Sequence, residues 1–237
     1  MMPDCNCGDG TATLEIVTIV PRLIAPARLI GLAAASVLLA LLGLGPNLAR
    51  AGGGPLGIDH EWSYDNRGIW ATRYEQGLEY GVLIFEAGGA FWLGDDDGGF
   101  GHTLWQSVDA SVVSGISAEV LKYAFSRARP NQGLGPDKWF QGSCCDSFPS
   151  GQVTLQASFV TPIILHYEHS EPWIWALEIL PIYDGLARLK HQDHWQSDTI
   201  AGWALGTAAG YWAANRETPL MVQILPRGVT IGFARHF

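Results

Sequence analysis

Positive charge is what this chain has least of. Fourteen Lys and Arg stand against 23 Asp and Glu in 237 residues, the net charge is −9, and charged residues make up only 16% of the total. That balance excludes a protein that holds nucleic acid through a basic surface. Cysteine is scarcer still: Cys5 and Cys7 near the N-terminus and the adjacent pair Cys144 and Cys145 are all there is, which excludes a disulfide-stapled fold. There is no convincing cluster of metal ligands, no repeat of solenoid or propeller length, and no low-complexity tract beyond short glycine-rich turns. Apolar residues are abundant, at 48%, enough for one globular domain with a sizeable core.

The apolar residues are unevenly spread. Arg22 and Arg28 precede an uncharged run from Leu29 to Leu44, followed by Pro46 and then Ala49-Arg50-Ala51. A basic flank, an apolar middle and a small-x-small end describe a secretory signal peptide cut before Gly52. The alternative is an uncleaved anchor, because the charge-free stretch from Leu29 to Ala49 approaches the length that spans a bilayer. Either way residues 1–51 are expected to be an address, and the rest of the chain to be exported. In an oxidising compartment Cys144 and Cys145 can close only a strained bridge, so the pair is expected to be structurally incidental.

Residues 52–68 are rich in Gly, Pro, Asp and Asn and predict an extended, turn-laden approach to the fold. Apolar residues at helical spacing then predict helices over about 70–93 and 104–125. Glu79, Glu86 and Asp109 interrupt them, which favours helices in water or facing a protein interior, whereas Trp92, Trp105, Trp173 and Trp212 near helix ends fit an interfacial belt. The run Gly94-Asp95-Asp96-Asp97-Gly98-Gly99 lacks the spaced ligands and closing Glu of a calcium loop and reads as a solvated turn. Apolar runs at 153–167 and 173–186 and a helix from His194 to about Asn215 complete an all-α bundle of about five helices over residues 52–218. Residues 221–225, a Pro226-Arg227-Gly228 turn and residues 229–233 predict a short hairpin-like extension over 219–237.

Three of the fourteen cations, Arg22, Arg28 and Arg50, precede Gly52, and of the eleven that remain Lys122, Arg127, Arg129, Arg188 and Lys190 fall in two short stretches. Lys122 and Arg129 form the pattern KxxxxxxRP. Seven residues is close to two helical turns, so both can project one way before Pro130 breaks the helix. Two cations aimed together suit an anion; alone they are equally a basic helix end favoured by the macrodipole. Next, Phe148-Pro149-Ser150-Gly151-Gln152 leads into the third apolar run. Ser150 is a good N-cap and Gly151 permits close backbone approach, so this turn offers free amides and a helix N-terminus to an anion. Last comes RLKHQDHWQSD, residues 188–198. If His194 opens a helix, Asp198 lies one turn on, where its carboxylate holds one imidazole nitrogen and leaves the other free for nucleophilic or general-base work.

In this order the three blocks resemble the type 2 phosphatidic acid phosphatases, which share a site with vanadium-dependent haloperoxidases and bacterial class A acid phosphatases. The family pattern is KxxxxxxRP, PSGH and SRxxxxxHxxxD, and the resemblance covers roughly residues 104–215. It implies a haloperoxidase-like helical core and a metal-independent phosphatase with no cofactor, acting on a lipid phosphate or lipid diphosphate at the periplasmic face of a bacterial inner membrane. Carried over, His194 attacks phosphorus and becomes a phosphohistidine, Asp198 orients its ring, and Lys122, Arg129, Arg188, Ser150 and the Gly151 amide bind the phosphoryl oxygens. That division of labour is chemically sound, because fixed cations and amides stabilise the charge spread over a phosphoryl group in transit, and a guanidinium fork matches two oxygens at once.

Two positions depart from the pattern. Ala187 replaces the Ser of the third block, a minor change, and Gln152 replaces the His of PSGH, which in the family protonates the leaving oxygen. Glutamine donates a hydrogen bond but gives up no proton, so general-acid help of about 100-fold is missing. Three outcomes fit: a slow enzyme, substitution by another group such as His191 or Asp193, or a substrate that needs no acid. His191 stands three residues before His194 and can face the same pocket, although a loop histidine beside Lys190 and Asp193 is as readily solvated. A diphosphate expels a phosphate whose second pKa is about 6, so a lipid diphosphate is expected to tolerate Gln152 better than a monoester. The same blocks also fit a soluble periplasmic acid phosphatase of broad specificity, a vanadium-dependent haloperoxidase, or an inactive lipid-phosphate-binding relative.

Overall fold

A computed structural model describes residues 53–94 and 99–216 in full, and 220–225 and 228–233 in their backbone. The leader expected over 1–51 and the acids at 95–97 lie outside the described residues. The all-α bundle read from the sequence is present as five helices: α1 (Thr72–Leu93), α2 (Phe100–Phe125), α3 (Gly151–Tyr167), α4 (Ile179–Lys190) and α5 (Gln196–Ala214). Strands β1 (Leu220–Leu225) and β2 (Gly228–Phe233) follow and pair antiparallel with each other, Leu225 opposite Gly228.

Helix α3 is central and packs against α2, α4 and α5. Its approach to α5 is closest where α5 presents Gly202, Gly206 and Gly210 at successive turns; a Cβ at Gly202 would stand 2.5 Å from the Ser150 carbonyl oxygen, and one at Gly206 would strike that of Thr154. Only a stripe without side chains lets the two backbones lie so near. On its other side α3 contributes Phe159, Val160, Ile163 and Ile164 to the main core, with Val82, Ala90 and Leu104. A smaller cluster around Leu189 gathers Trp62, Ile182 and Trp203 under the approach segment.

Several boundaries differ from the sequence reading. Helix α2 begins at Phe100 rather than near Leu104 and ends at Phe125, where Ser126 takes a left-handed φ of 38°. Arg129 is therefore not on the helix two turns from Lys122; it is extended, as a residue before proline prefers to be. Residues Pro172–Glu178 form a 3-10 segment, and α4 runs on to Lys190, so Arg188 is a helical residue. Pro181 is tolerated because it falls in the first turn of α4, where its missing N–H breaks no helical bond. Helix α5 opens at Gln196, two residues after His194.

Helix α1 is inverted relative to an ordinary surface helix. Glu75, Val82, Glu86 and Ala90 are buried, while Tyr80, Leu83, Ile84, Phe85, Phe91 and Trp92 are exposed. Of the acids that argued against a lipid-facing helix, Glu86 and Asp109 are buried and Glu79 is half-buried. None of the described helices is long and apolar enough to cross a membrane.

Glu86 is the deepest of these acids with no cation beside it. Ser111 Oγ donates to its Oε1 at 2.8 Å and approaches Ser158 Oγ at 3.1 Å, linking α1, α2 and α3. Burial pushes the Glu86 carboxyl up to about 7, with the Ser111 hydroxyl opposing. A folded-state pKa above the unfolded one means that folding takes up a proton. Its contribution is complete below the ordinary value near 4.5 and is lost as pH rises through about 7. Glu86→Gln keeps the acceptor and removes the titration. The variant is expected to flatten the pH dependence of stability over that window and to gain up to about 3 kcal/mol over the parent at pH 8. Thermal unfolding at pH 5 and pH 8 measures it; parallel curves for the two proteins would count against a neutral Glu86.

Candidate active site

The three sequence blocks are stitched together by the backbone around one buried guanidinium. Arg127, fully buried, donates through Nη2 to Asp59 at 2.6 Å, through Nη1 to Ser197 Oγ at 2.7 Å and to Asp198, and it lies 4.3 Å from the Trp139 ring. Asp59 belongs to the approach segment and also accepts the Ser197 amide at 2.8 Å. Nearby, Ser147 N bonds Arg127 O, Ser150 N bonds Asp198 O, and Asn131 N bonds Gln192 O, each within 3.0 Å. The Trp195 indole closes the knot on the Ala128 carbonyl at 2.7 Å. Arg127 belongs to the cation-rich block by sequence, yet it serves the frame rather than the anion site. Lys190 likewise stands over the Trp62 ring at 5.3 Å.

His194 is 3% exposed, and its Nδ1–H donates to the Ser147 carbonyl at 2.6 Å. Asp198 Oδ2 is 4.0 Å from that nitrogen. The direct His194–Asp198 hydrogen bond expected from the spacing is thus replaced by a relay: Asp198 Oδ2 accepts Ser147 Oγ at 2.5 Å, and the Ser147 carbonyl holds the ring. The reason is local. Asp198 stands at the third position of α5 and accepts the Trp195 amide at 2.9 Å, so its carboxylate faces back into the turn. Burial pushes Asp198 up to about 6, with Arg127 and the Ser147 and Trp195 donors opposing, so at neutral pH it is the ionised acceptor that three donors require. Burial first, then Arg188, Arg129 and Lys122, drives His194 well below the ordinary imidazole value against the pull of the Ser147 carbonyl. A neutral ring with Nδ1 engaged leaves the lone pair on Nε2.

Those same three cations are the ones singled out by the sequence, and each is held by a carboxylate. Arg188 Nη1 meets Glu75 at 2.7 Å and Asp193 at 3.1 Å. Arg129 forks onto both oxygens of Asp146, at 2.8 and 3.0 Å, and lies 3.7 Å from Asp193. Lys122 Nζ bonds Glu119 at 2.7 Å. A Cβ at Gly151 would come within 3.2 Å of Lys122 Nζ, so the absence of a side chain there gives the lysine its place. Ser150 opens α3 without capping it: its hydroxyl is buried and has no hydrogen-bond partner among the described residues. Beside Lys122 a pocket of about 560 Å³ is lined by Glu119, Tyr123, Phe140, Cys145 and Asp146. Cys144 and Cys145 are free thiols.

Gln152 and His191 are each engaged by a partner on or beside α1. Gln152 Nε2 donates to Glu79 Oε2 at 2.8 Å. His191 is buried between the Trp70 carbonyl at Nε2 and Glu75 Oε2, 2.8 Å from Nδ1; it braces Glu75, the partner of Arg188. Asp193 is taken up by Arg188, Arg129 and the Asn131 amide. Among the described residues no group of three or more His, Cys, Asp and Glu side chains is placed to hold a metal ion. The sequence reading missed Glu75, Ser147 and the framing role of Arg127 and Asp59. Glu75 and Glu79, one turn apart on one helix, carried a usable signal; nothing local marked Ser147.

Residues 104–219 match the family model of the PAP2 superfamily. A lipid A 1-phosphatase of Porphyromonas gingivalis is 30% identical over 98 residues, 40% of this chain and 20% of that protein. An undecaprenyl-diphosphatase of Sulfolobus acidocaldarius is 28% identical over 109 residues, 45% and 52% of the two chains. A lipid A 1-phosphatase of Rhizobium johnstonii is 35% identical over 100 residues, 40% of each. The chain spans about half or less of the length of these relatives. Among solved structures, a transmembrane PAP2 type phosphatidylglycerolphosphate phosphatase from Bacillus subtilis is similar with a TM-score of 0.44 at 15% identity, over 78% of this chain and 84% of that one. Over the span that holds the Lys122, Ser150 and His194 blocks, the chain belongs to the PAP2 superfamily.

Proposed function

We propose that this protein is a metal-independent phosphatase that removes phosphate from a lipid phosphate or lipid diphosphate through a phosphohistidine at His194. The observation that carries the reading is the state of that imidazole: buried, neutral, fixed at Nδ1 by the Ser147 carbonyl, and set in the field of Arg188, Arg129 and Lys122. Nε2 bonds to phosphorus as the P–O bond to the leaving group breaks; water then attacks phosphorus and the N–P pair returns to the ring. The cations and the Ser150–Gly151 turn, at the N-terminus of α3, stabilise the equatorial oxygens without rearranging. Asp198, acting through Ser147, keeps the ring in the tautomer that attacks.

A lipid substrate is supported by three features. The relatives named above are phosphatases of lipid A and of undecaprenyl diphosphate. The outer face of α1 is an unbroken apolar surface from Tyr80 to Trp92, of the kind that seats on a membrane interface. The pocket beside Lys122 has aromatic walls at Tyr123 and Phe140, next to the charged site. With the leader read from the sequence, the working place is the periplasmic face of a bacterial membrane.

Phosphate release from lipid mono- and diphosphates in mixed micelles, compared with soluble phosphoesters, tests this reading. Lipids are expected to be preferred, chelator to have no effect, vanadate to inhibit, and the protein to sediment with phospholipid vesicles. A preference for soluble esters with no vesicle binding would point to the soluble acid phosphatase. Loss of activity in chelator, or halide oxidation on adding vanadate with no phosphatase activity, would overturn the proposal.

A further inference from the structure

Resting on the phosphatase reading, we propose that Glu79 performs the proton transfers that Gln152 cannot. Its carboxyl protonates the leaving oxygen in the first half of the reaction, and its carboxylate takes a proton from the attacking water in the second.

The Gln152 side chain, at the head of α3, reaches across to α1 and donates to Glu79 Oε2 at 2.8 Å. Glu79 lies outside the matched span 104–219, so none of the three blocks points to it. One turn earlier on the same helix, Glu75 holds Arg188 at 2.7 Å. Helix α1 thus supplies two carboxylates four residues apart, each bonded to one residue of the phosphate blocks. Glu75 is buried and committed to Arg188 and His191, whereas Glu79 is half-buried and keeps an open side. The other candidates are spent, since both His191 nitrogens face oxygens and Asp193 is shared by two arginines.

A third carboxyl lies buried in the field of Glu75 and Glu79. Asp184 is 1% exposed, and neither of its carboxylate oxygens has a hydrogen-bond partner among the described residues. Burial, then Glu75, raises it well above the ordinary carboxylate range; Glu79 adds to the shift and Arg188 opposes it. Crowding by carboxylates favours the protonated form of Asp184. Gln152 becomes a positioning residue that holds Glu79 in place of giving up a proton itself.

The balance closes without a co-reactant other than water. As the Nε2–P bond forms, the electron pair of the breaking P–O bond stays on the leaving oxygen, which takes the Glu79 proton and departs as an alcohol. Water then gives a proton to the Glu79 carboxylate, its oxygen bonds to phosphorus, and the P–N pair returns to His194. Glu79 ends as it began.

The test uses the full chain and kcat/KM, which reports formation of the phosphohistidine, on an alkyl phosphate and on nitrophenyl phosphate, whose phenolate leaves without a proton. Glu79→Gln is expected to cost about 100-fold on the alkyl ester and no more than a few-fold on the nitrophenyl ester. Adding Gln152→His to the Glu79→Gln protein is expected to restore the alkyl reaction, since histidine brings its own proton to the same place. Equal losses on both esters, no loss on the alkyl ester, or no rescue by Gln152→His would each overturn the role of Glu79 while leaving the phosphatase reading intact. A parent protein that releases phosphate from neither ester would overturn both.

Discussion

His194→Ala is expected to end phosphate release, with turnover falling on the order of 10⁴-fold or more, the scale seen when a covalent nucleophile is removed. The cations remain, but the phosphoryl group then has no atom to receive it, and water must attack without the first displacement. The ring makes one hydrogen bond, to the Ser147 carbonyl, so the variant is expected to fold with a melting temperature lowered by a few degrees at most. Two readouts belong together. The parent, quenched during turnover with labelled substrate, is expected to carry phosphate that is stable in alkali and labile in acid, as a phosphoramidate is, and the variant none. Phosphate release by His194→Ala at an undiminished rate would mean that another group attacks, or that the cradle works by orientation alone.

The largest loss of stability is expected at a residue that touches no substrate. Arg127→Met leaves Asp59 and Asp198 buried without a cation, and breaking a buried pair from one side costs about 3–5 kcal/mol because the stranded charge has no water to turn to. Arg127→Lys is expected to recover only part of this, since a single ammonium cannot reach Asp59, Asp198, Ser197 and the Pro136 carbonyl as the guanidinium fork does. Urea unfolding measures the difference, and a change within about 0.5 kcal/mol would show that the network contributes little. Activity is expected to fall as well, because Asp198 positions Ser147 and Ser147 positions His194.

These two residues also mark where the sequence could and could not be read. His194 was legible because its block is local: RxxxxxHxxxD is a spacing along the chain, and so are KxxxxxxRP and the PSGQ turn. The number of helices was legible for the same reason, since apolar residues recur every three or four positions whatever they pack against. The relation of His194 to Asp198 was legible only in part. Spacing placed the two a helical turn apart, but α5 starts after the histidine, and the carboxylate is taken by the Trp195 amide and by Arg127. Arg127 stood in the sequence only as one of the clustered cations, and its burial beneath Trp139 is a property of the assembled core.

Composition, the order of the blocks and their chemistry were determined by the sequence by itself: a helical bundle, three cations and a histidine suited to a phosphoryl group, and a glutamine where a proton donor is expected. Tertiary structure alone decided which carboxylate serves which partner. Glu75 and Arg188 are 113 residues apart, Glu79 and Gln152 are 73 apart, and Asp59 and Arg127 are 68 apart. No local rule couples such positions. The pairing follows from the glycine stripe of α5, which draws α3 inward, and from the inner face of α1, which brings Glu75 and Glu79 to Arg188 and Gln152.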